Sequence, residues 1–226
     1  MNLARQARCV LRARRHAALS TQSQAVTGYP FGSAVPYVLD AAAAPIILVS
    51  RLAEHAKNIA ADPRVSLIAI ADGADLQQAA RVTYLGRASR LDPPGDAGER
   101  YLRYFPAARE YRSQLDFDFF RIEPVTLRVI AGFAQAHWLS REAYTPAAGD
   151  LAAREETLAA ELNAGCAERL RELACKRTPG VREAGIVGID CDGFDLQTDG
   201  DIMRFDFDEC VAGAKEAQSR IAALLN

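Results

Sequence analysis

Seven short segments with the apolar alternation of β-strands succeed one another between residues 17 and 139. They are Ala17 to Thr21, Ser33 to Leu39, Pro45 to Ser50, Val65 to Ala71, Val82 to Ser89, Phe117 to Ile130 and Phe133 to Leu139. Between the fifth and the sixth segment lie two short helical pieces, from Glu99 to Ser113, separated by Pro106. Many short strands with few helices indicate a mainly β, α+β fold built on a closed antiparallel barrel, and not a doubly wound sheet.

The pattern changes after Tyr144, where residues 145–150 (TPAAGD) are typical of a linker. A long, charged, amphipathic helix is predicted over residues 151–176. Three further strands and a last helix are predicted over residues 184–190, 194–198, 202–207 and 208–225. We therefore predict two domains, a barrel in residues 1–145 and a small C-terminal α+β domain in residues 150–226.

Charge and hydropathy argue against several classes of function. The 27 basic and 29 acidic residues give a net charge of −2, so no overall field attracts nucleic acid or an anionic membrane. The longest apolar run, from Ala41 to Val49, has about nine residues, whereas a membrane span needs roughly 18. We expect a soluble protein with neither a nucleic-acid nor a membrane partner. Hydrolase, phosphate-loop and dinucleotide-binding motifs are also missing from the sequence.

The five cysteines are odd in number and contain no C-x-x-C pair, which argues against a disulfide framework and a structural zinc site. Reduced thiols are expected, which favours the cytoplasm. The three histidines show no ligand spacing, so we predict no metal site. Residues 190–195 superficially resemble a calcium loop, but the required glycine and glutamate are missing at their positions, and we predict a β-turn.

The first 39 residues contain no acidic residue. Five arginines, at positions 5, 8, 12, 14 and 15, are interspersed with apolar residues at helical spacing, which is also how an organelle transit peptide looks. We favour a first helix that packs its apolar face on the barrel and keeps its arginines in water.

The stretch from residue 48 to residue 70, LVSRLAEHAKNIAADPRVSLIAI, reads as strand, short helix and strand. Ser50 occupies a good N-cap position, and Arg51, His55 and Asn58 follow at a spacing that would place them on one helix face. Free N–H groups at a helix N-terminus, with an arginine and a histidine beside them, suit a terminal phosphate. The alternative is an ordinary solvated helix. The neighbouring face, which we expect to dock on the barrel, consists of Leu52, Ala56 and Ile59.

Several ordered motifs resemble the split-barrel flavoproteins related to pyridoxamine 5'-phosphate oxidase, most closely their haem-utilisation branch. The motifs are ALST (18–21), GYPFGSAVPYVLD (28–40), LVSRLAEHAKNIAADPRVSL (48–67), RVTYLGRA (81–88), RYFPAA (103–108), DFDFFRIEP (116–124) and GFAQAHW (132–138). The resemblance covers nearly the whole chain, because that branch commonly carries a small C-terminal domain. It implies an antiparallel split β-barrel with flanking helices.

The resemblance also implies a cofactor site. In such proteins FMN lies at a homodimer interface, and its phosphate is held by the segment that matches Ser50, Arg51, His55 and Asn58. The isoalloxazine ring rests on the strand that matches Ser33, Val35, Pro36 and Tyr37, and Arg81 and Thr83 match a strand that adds a polar contact. A strand beside a flavin can offer backbone N–H groups to the ring edge while alternate side chains cover its face.

Two departures from the family bear on function. The Gly-Gly-Phe-Gly of the relatives is replaced by residues 131–134 (AGFA). The C-terminal His-Met-Asn-x-Asp-His motif of haem-utilisation members is replaced by residues 161–166 (ELNAGC), so both histidines are gone. Cys166 could in principle ligate haem iron, but a lone cysteine on an amphipathic helix is more often packing. His16 is expected at the surface and His137 at a strand edge or interface.

We therefore predict an FMN-binding, pyridoxamine 5'-phosphate oxidase-like flavoprotein that acts as a homodimeric oxidoreductase on an unknown small molecule. The missing Arg-x-His cluster near the C-terminus argues against oxidation of vitamin B6 itself. Two alternatives stay open. One is a haem-binding or haem-degrading protein of iron utilisation, and the other is a regulatory split-barrel module without catalysis.

Overall fold

The computed structural model describes residues 2–72, 75, 77–131 and 136–225. Backbone contacts divide the chain into two compact units, Met1–Thr145 and Pro146–Asn226. The division falls beside the linker that the sequence predicts. The cofactor assigned to the first domain and the family type assigned to the second stay predictions.

The first unit is built around a seven-stranded antiparallel sheet. Its strands are β1 (His16–Gln22), β2 (Pro30–Leu39), β3 (Pro45–Ser50), β4 (Arg64–Ile70), β5 (Arg81–Arg90), β6 (Phe117–Ile130) and β7 (Ala136–Ser140). The strand order is β3-β2-β1-β4-β5-β6-β7, and β3 also pairs with β6. That second pairing closes six strands into a barrel and leaves β7 outside it, which confirms the predicted antiparallel barrel. The start of the predicted strand at Phe133 lies outside the described residues.

Alternation along each strand divides barrel residues into an inner and an outer set. Leu19, Tyr37, Ile47 and Leu127 belong to the inner set, and all four are fully buried in one hydrophobic cluster. Their neighbours along the chain face outward, where helices or solvent cover them. The interior is therefore filled by side chains, and any ligand site has to lie on the outside of the barrel or at its ends.

Among the described residues, five helices accompany the barrel: α1 (Leu3–Arg12), α2 (Glu54–Ala61), α3 (Gly95–Tyr104), α4 (Ala108–Gln114) and α5 (Arg141–Tyr144). The expectation that the arginines of α1 lie in water is wrong for Arg5, Arg8 and Arg12, which are buried. Arg8 donates from Nη1 to the carbonyl oxygen of Tyr144, at 2.9 Å. This hydrogen bond gives one buried guanidinium of α1 a backbone partner where the helix packs against the barrel.

Buried tyrosines tie distant segments of the first unit together. The Tyr37 hydroxyl donates to the carbonyl of Leu11 at 2.6 Å, and the Tyr144 hydroxyl donates to the carbonyl of Ala43 at 2.6 Å. Burial raises the pKa of both hydroxyls well above the ordinary tyrosine value, so both remain neutral donors. Helix α1 and the turn at Ala43 are thus each anchored by one hydrogen bond from the core.

The second unit packs helices on a three-stranded sheet. It consists of α6 (Leu151–Arg177), β8 (Ala184–Asp190), β9 (Gly193–Thr198), β10 (Ile202–Asp206) and α7 (Ala214–Leu224). The sheet order is β10-β9-β8, all antiparallel, and Phe194, Leu196 and Ile221 are fully buried in its core. Inside the sheet, Arg204 forms an ion pair with Asp190 at 2.5 Å and lies 3.6 Å from Asp195.

The last helix begins later than predicted, at Ala214 and not at Asp208. Two backbone hydrogen bonds explain the delay, because Phe207 N donates to the carbonyl of Asp192 and Val211 N donates to that of Cys191, both at 2.8 Å. Residues 207–213 therefore run beside the β8–β9 turn before the helix can begin. Within the described part of the chain, none of the helices combines the length and the apolarity that a bilayer crossing requires.

The β8–β9 turn consists of Cys191 and Asp192, as the sequence predicts for this segment. Gly193, the first residue of β9, faces the adjacent strand β10 so closely that a Cβ atom there would lie 2.1 Å from the carbonyl oxygen of Phe205. The φ angle of Gly193 is not in the left-handed region, so glycine is not needed here for its backbone conformation. It is needed because only a residue without a Cβ atom lets the two backbones approach so closely.

We predict that Gly193→Ala destabilises the second unit by about 1–3 kcal/mol or more, because backbone must shift to admit the methyl group. Gly200→Ala is the matched control, since nothing lies within 4 Å of a Cβ atom at that position. Urea unfolding followed by far-ultraviolet circular dichroism measures both variants. Equal midpoints for the two variants would contradict the close packing of β9 against β10.

Candidate functional site

A cavity of about 570 Å³ lies on the outer face of the barrel in the first unit. Its volume is within the usual range for sites that take small molecules or cofactors. The described lining residues carry no charge: Pro36, Leu48, Tyr101, Tyr104, Phe105, Pro106, Ala107, Ala108, Tyr111, Leu115 and Phe117. A site with such walls suits a flat, apolar ligand whose polar groups reach its rim.

The register of the strands explains why the cavity is outside the barrel. Leu48 pairs with Phe119, and Ser50 pairs with Phe117, so these four residues share one face. Ile47 and Val49 alternate with them and belong to the buried interior. The floor of the cavity is therefore the outer face of β3 and β6, and Ser50 lies on that same face.

Helices α3 and α4 form the opposite wall with aromatic side chains. The Tyr101 ring lies 4.9 Å from Phe105 and 5.5 Å from Phe119, centroid to centroid, and Tyr111 lies 5.9 Å from Phe117. Burial raises the pKa of Tyr101 above its ordinary value, which keeps its phenol neutral. The wall is buried at Tyr101, where α3 meets the sheet, and more open at Tyr111 in α4, which is 49% exposed.

Cationic side chains surround Tyr104. The Arg15 guanidinium lies 4.9 Å from the centre of the Tyr104 ring, and Arg100 lies 5.4 Å from it. Arg100 is buried and donates from Nε to the carbonyl of Leu39 at 2.8 Å. It thereby fixes α3 against β2, while Arg15 places a positive charge beside the cavity wall.

One imidazole lies at the margin of this cavity. His16 pairs with Pro36 across β1 and β2, so the two side chains share the outer face. The His16 ring also packs edge-on against Phe105, with 6.3 Å between the ring centres. Both neighbours line the cavity. His16 is exposed, as the sequence predicts, but its position beside the cavity depends on strand register and was missed.

The turn between β3 and α2 differs from the predicted phosphate-binding geometry. The N-cap residue of α2 is Ala53, not Ser50, because β3 continues through Ser50 and a turn follows it. Ser50 Oγ accepts a hydrogen bond from Leu52 N at 3.3 Å, within that turn. Arg51 therefore precedes the helix and does not share a helix face with His55 and Asn58. The predicted docking of Leu52 is also wrong, since it is 80% exposed.

Arg51 is engaged by acidic residues of β6 and its entry. Its Nε donates to Asp118 Oδ2 at 2.7 Å, and its Nη1 lies 3.9 Å from Asp116. Arg90 also contacts Asp118, at 3.1 Å. The hydrogen bond from Arg51 lowers the pKa of Asp118, with a smaller contribution from Arg90. A phosphate at Arg51 would have to compete with these carboxylates.

Asn58 is held inside the first unit, and His55 is only partly exposed to solvent. Asn58 is fully buried. Its Nδ2 donates to Thr21 Oγ1 at 2.9 Å, and its Oδ1 accepts from Gln24 N at 2.9 Å. His55 is half-buried, and desolvation lowers its pKa below the ordinary value. Asn58 therefore has a structural role here, and His55 is neutral at pH 7. As predicted, Ile59 packs in the core.

The strand that was matched to a flavin ring presents two faces. Val35 and Tyr37 are buried in the barrel interior, and Ser33 pairs with the buried Leu19 on that same side. Among the residues predicted on β2, Pro36 faces the cavity. Strict alternation along β2 explains the split, which a motif match does not resolve. The side chain of Tyr37 cannot touch a ligand on the outer face.

Arg81 and Thr83 are remote from Ser50 within one chain. Arg81 pairs with Ile130 and Ser50 pairs with Phe117, which are the two ends of the fourteen-residue strand β6. At about 3.3 Å per residue these ends are roughly 40 Å apart. Thr83 faces outward, beside Arg128 on β6. A single site that used Ser50 together with Arg81 and Thr83 would need Arg81 and Thr83 from a second copy of the chain.

Two segments, residues 161–166 and 131–134, depart from the family pattern, and the structure describes the first of them fully. Cys166 lies on α6, packs partly against the core of the second unit and accepts a hydrogen bond from Arg169 at 3.0 Å. This favours the packing interpretation over haem ligation. Residues 132–135 lie outside the described residues, and His137 is exposed on the edge strand β7.

The closed six-stranded barrel with an aromatic cavity on its outer face defines a split-barrel protein. Residues 3–131 match the family described as pyridoxamine 5'-phosphate oxidase, and this protein belongs to that family. The predicted recognition of the family is confirmed.

Similar proteins include several that are named for haem. A curated relative, "Non-canonical heme oxygenase HOZ, chloroplastic" from Arabidopsis thaliana, is 40% identical over 120 residues, which are 52% of this chain and 37% of the plant protein. This chain thus matches little more than a third of that relative. Its similarity to haem-named relatives confirms the haem-utilisation branch that the sequence predicts.

Two solved structures resemble the chain over nearly its full length. The protein Atu2129 of unknown function from Agrobacterium tumefaciens is 29% identical, with a TM-score of 0.79 over 97% of this chain and 94% of that one. A heme binding protein from Mycobacterium smegmatis is 27% identical, with a TM-score of 0.60 over 100% of this chain and 96% of that one. Both matches span the second unit as well as the barrel.

We predict that acid weakens the fold through His55. Because burial lowers its pKa in the folded state below 6.5, the unfolded chain binds the proton first as the pH falls. The stability that neutral His55 provides is complete above 6.5 and declines just below it. Urea midpoints of the wild type and His55→Gln between about pH 8 and pH 5.5 measure this effect. Parallel curves for the two proteins would contradict it.

Proposed function

We propose that this protein binds haem in the outer-face cavity of its barrel. The observation that supports this most strongly is an imidazole, His16, at the margin of a cavity walled by five aromatic residues. A porphyrin is flat and apolar over its face, and its iron takes an axial nitrogen ligand from histidine. The similarity to a plant heme oxygenase and a mycobacterial heme binding protein points in the same direction.

The described residues fit the chemistry of such a ligand. Tyr101, Phe105 and Phe117 offer ring faces and edges to a conjugated plane, and no charge on the lining residues opposes its burial. Arg15, held over Tyr104, supplies a cation for a carboxylate at the rim. His16 is the proposed iron ligand. It replaces the C-terminal histidines that the sequence lacks.

Bound haem would be either a cargo or a substrate. The plant relative is named as an oxygenase, but this chain matches only 37% of it, so turnover is a separate proposal from binding. For either role, the contribution of this chain is the same. The cavity excludes water from the porphyrin face, and His16 and Arg15 fix its orientation.

We predict that the purified protein gives a saturable Soret change at one haem per chain. His16→Ala should weaken binding about tenfold or more, equivalent to ~1.4 kcal/mol, and shift the Soret maximum because the axial ligand is lost. His137→Ala is the control, since His137 is exposed on β7 and is not among the lining residues. Equal spectra for wild type and His16→Ala would exclude His16 as the ligand.

The cavity itself is tested in the same titration by two matched substitutions. Leu115 lines the cavity and is 58% exposed, whereas Leu52 is 80% exposed and is not among the lining residues. Leu115→Glu introduces a charge into the wall without disturbing the core and should weaken haem binding. Leu52→Glu should leave it unchanged. Binding that survives Leu115→Glu would place haem elsewhere.

The second candidate is FMN binding with oxidoreductase activity, which membership of the pyridoxamine 5'-phosphate oxidase family favours. Ser50 and Pro36 share the outer face with the cavity, so a flavin ring there would have its phosphate end near Arg51. Bound FMN would supply hydride and electron transfer. The acidic partners of Arg51 and the neutral His55 weaken this candidate relative to haem.

We predict that replacing Arg51 and His55 together with alanine weakens FMN binding by a few kcal/mol if these groups hold the phosphate. Fluorescence quenching of FMN on titration with protein measures the affinity. Lys57→Ala is the control, because Lys57 lies on the same helix and pairs with Glu54. A colourless protein that neither binds nor is stabilised by FMN would remove the candidate.

A homodimer completes the proposal. The large distance between Arg81 and Ser50 along β6 means that one chain cannot supply both predicted contacts, and a twofold partner could. Trp138 and Val125 are 62% and 56% exposed on β7 and β6 and offer apolar surface for such an interface. A cytoplasmic location and a small-molecule substrate stay predictions.

A further inference from the structure

A cluster of three potential metal ligands lies in the second unit. The side chains of Cys191, Asp192 and Cys210 bring two sulfur atoms and a carboxylate oxygen within 4.8 Å of one another. Cys191 and Asp192 are buried, whereas Cys210 is exposed. Eighteen residues separate the two cysteines, so the cluster cannot be recognised from closely spaced ligands in the sequence.

The backbone holds this cluster together without help from the side chains. Cys191 and Asp192 form the β8–β9 turn, and residues 207–213 run beside it. Phe207 N donates to the carbonyl of Asp192, and Val211 N donates to the carbonyl of Cys191, both at 2.8 Å. These two bonds bracket Cys210 and bring it to the turn. The ligands are therefore organised in advance, in contrast to sites that form only when a metal folds the chain.

The surrounding charge favours a cation. Residues 190–210 contain eight acidic residues and a single basic one, Arg204. That arginine is already engaged by Asp190, Asp195 and Asp206. A divalent cation at the cluster would offset part of this local acidic charge.

We propose that Cys191, Asp192 and Cys210 form a binding site for a borderline-soft divalent cation of the zinc type. Two thiolates and one carboxylate are ligands that zinc takes in proteins, and three protein ligands leave a fourth position. Since Cys210 is exposed, that position faces solvent. Binding releases the two thiol protons and links the β8–β9 turn to residues 207–213. This proposal departs from the sequence-based prediction that the chain has no metal site.

A disulfide between Cys191 and Cys210 is the competing use of the same sulfur atoms. The carboxylate of Asp192, buried within 4.8 Å of both sulfur atoms, is a third ligand for a metal and has no role in a disulfide. The competing state is open to direct measurement in the protein as isolated, by mass spectrometry after alkylation without reductant.

The test is a titration of the reduced, haem-free full chain with Co²⁺, which reports thiolate ligands through charge-transfer absorption. One Co²⁺ per chain is expected, with bands that Zn²⁺ displaces. Cys210→Ser should lower the affinity at least ~10-fold and reduce the charge-transfer intensity by about half, because one of two sulfurs is lost. Asp192→Asn should lower the affinity and keep the intensity. Because Cys210 is exposed, its replacement by serine leaves the fold intact, which circular dichroism verifies.

Cys166→Ser is the matched control, since Cys166 lies on α6 and is not part of the cluster. It should leave Co²⁺ binding unchanged. The proposal is overturned if the reduced protein shows no saturable Co²⁺ band, if Cys210→Ser binds as the wild type does, or if a Cys191–Cys210 disulfide is found and the reduced chain takes up no metal. Haem binding in the barrel plays no part in any of these outcomes.

Discussion

The antiparallel pairing of β3 with β6 is the contact on which the first unit depends. It turns a sheet into a closed barrel, and closure forces the inward set of residues to fill the interior. A filled interior leaves ligands only the outer face, where the same pairing places Leu48 and Ser50 beside Phe119 and Phe117. The cavity is a consequence of closure, with α3 and α4 as its second wall.

The strands could be predicted well because period-two alternation is written directly into the sequence. Pro45 to Ser50 and Phe117 to Ile130 were predicted with the bounds that the structure has. The first residues of the helices were harder to predict from the sequence. The start of α7 depends on hydrogen bonds from residues 207 and 211 to the β8–β9 turn, and no local pattern encodes those bonds. The N-cap of α2 was misplaced for a similar reason, since the extension of β3 through Ser50 is fixed by its pairing with β6.

Only part of the candidate site could be predicted from the sequence. Pro36 and Ser50 were predicted near a ligand and do share the outer face with the cavity. Val35, Tyr37 and Asn58 were predicted with them and are used by the core. Whether a strand residue faces the core or the outside depends on register, and register is a property of pairs of strands. The sequence predicts the helical segments that carry the aromatic residues of α3 and α4. Only the folded structure shows that these residues form one wall of a cavity, and that His16 lies beside Pro36.

The buried Arg204 has a consequence for how the second unit selects its structure. Its side chain is 9% exposed between Asp190 and Asp195, which are 1% and 3% exposed. If β10 slipped by one residue along β9, the guanidinium would move to the opposite face and the two buried carboxylates would lose their cationic partner. Such an arrangement is too costly to be populated. The three buried charges therefore help to fix the register of β10 against β9 in a sheet of only three strands.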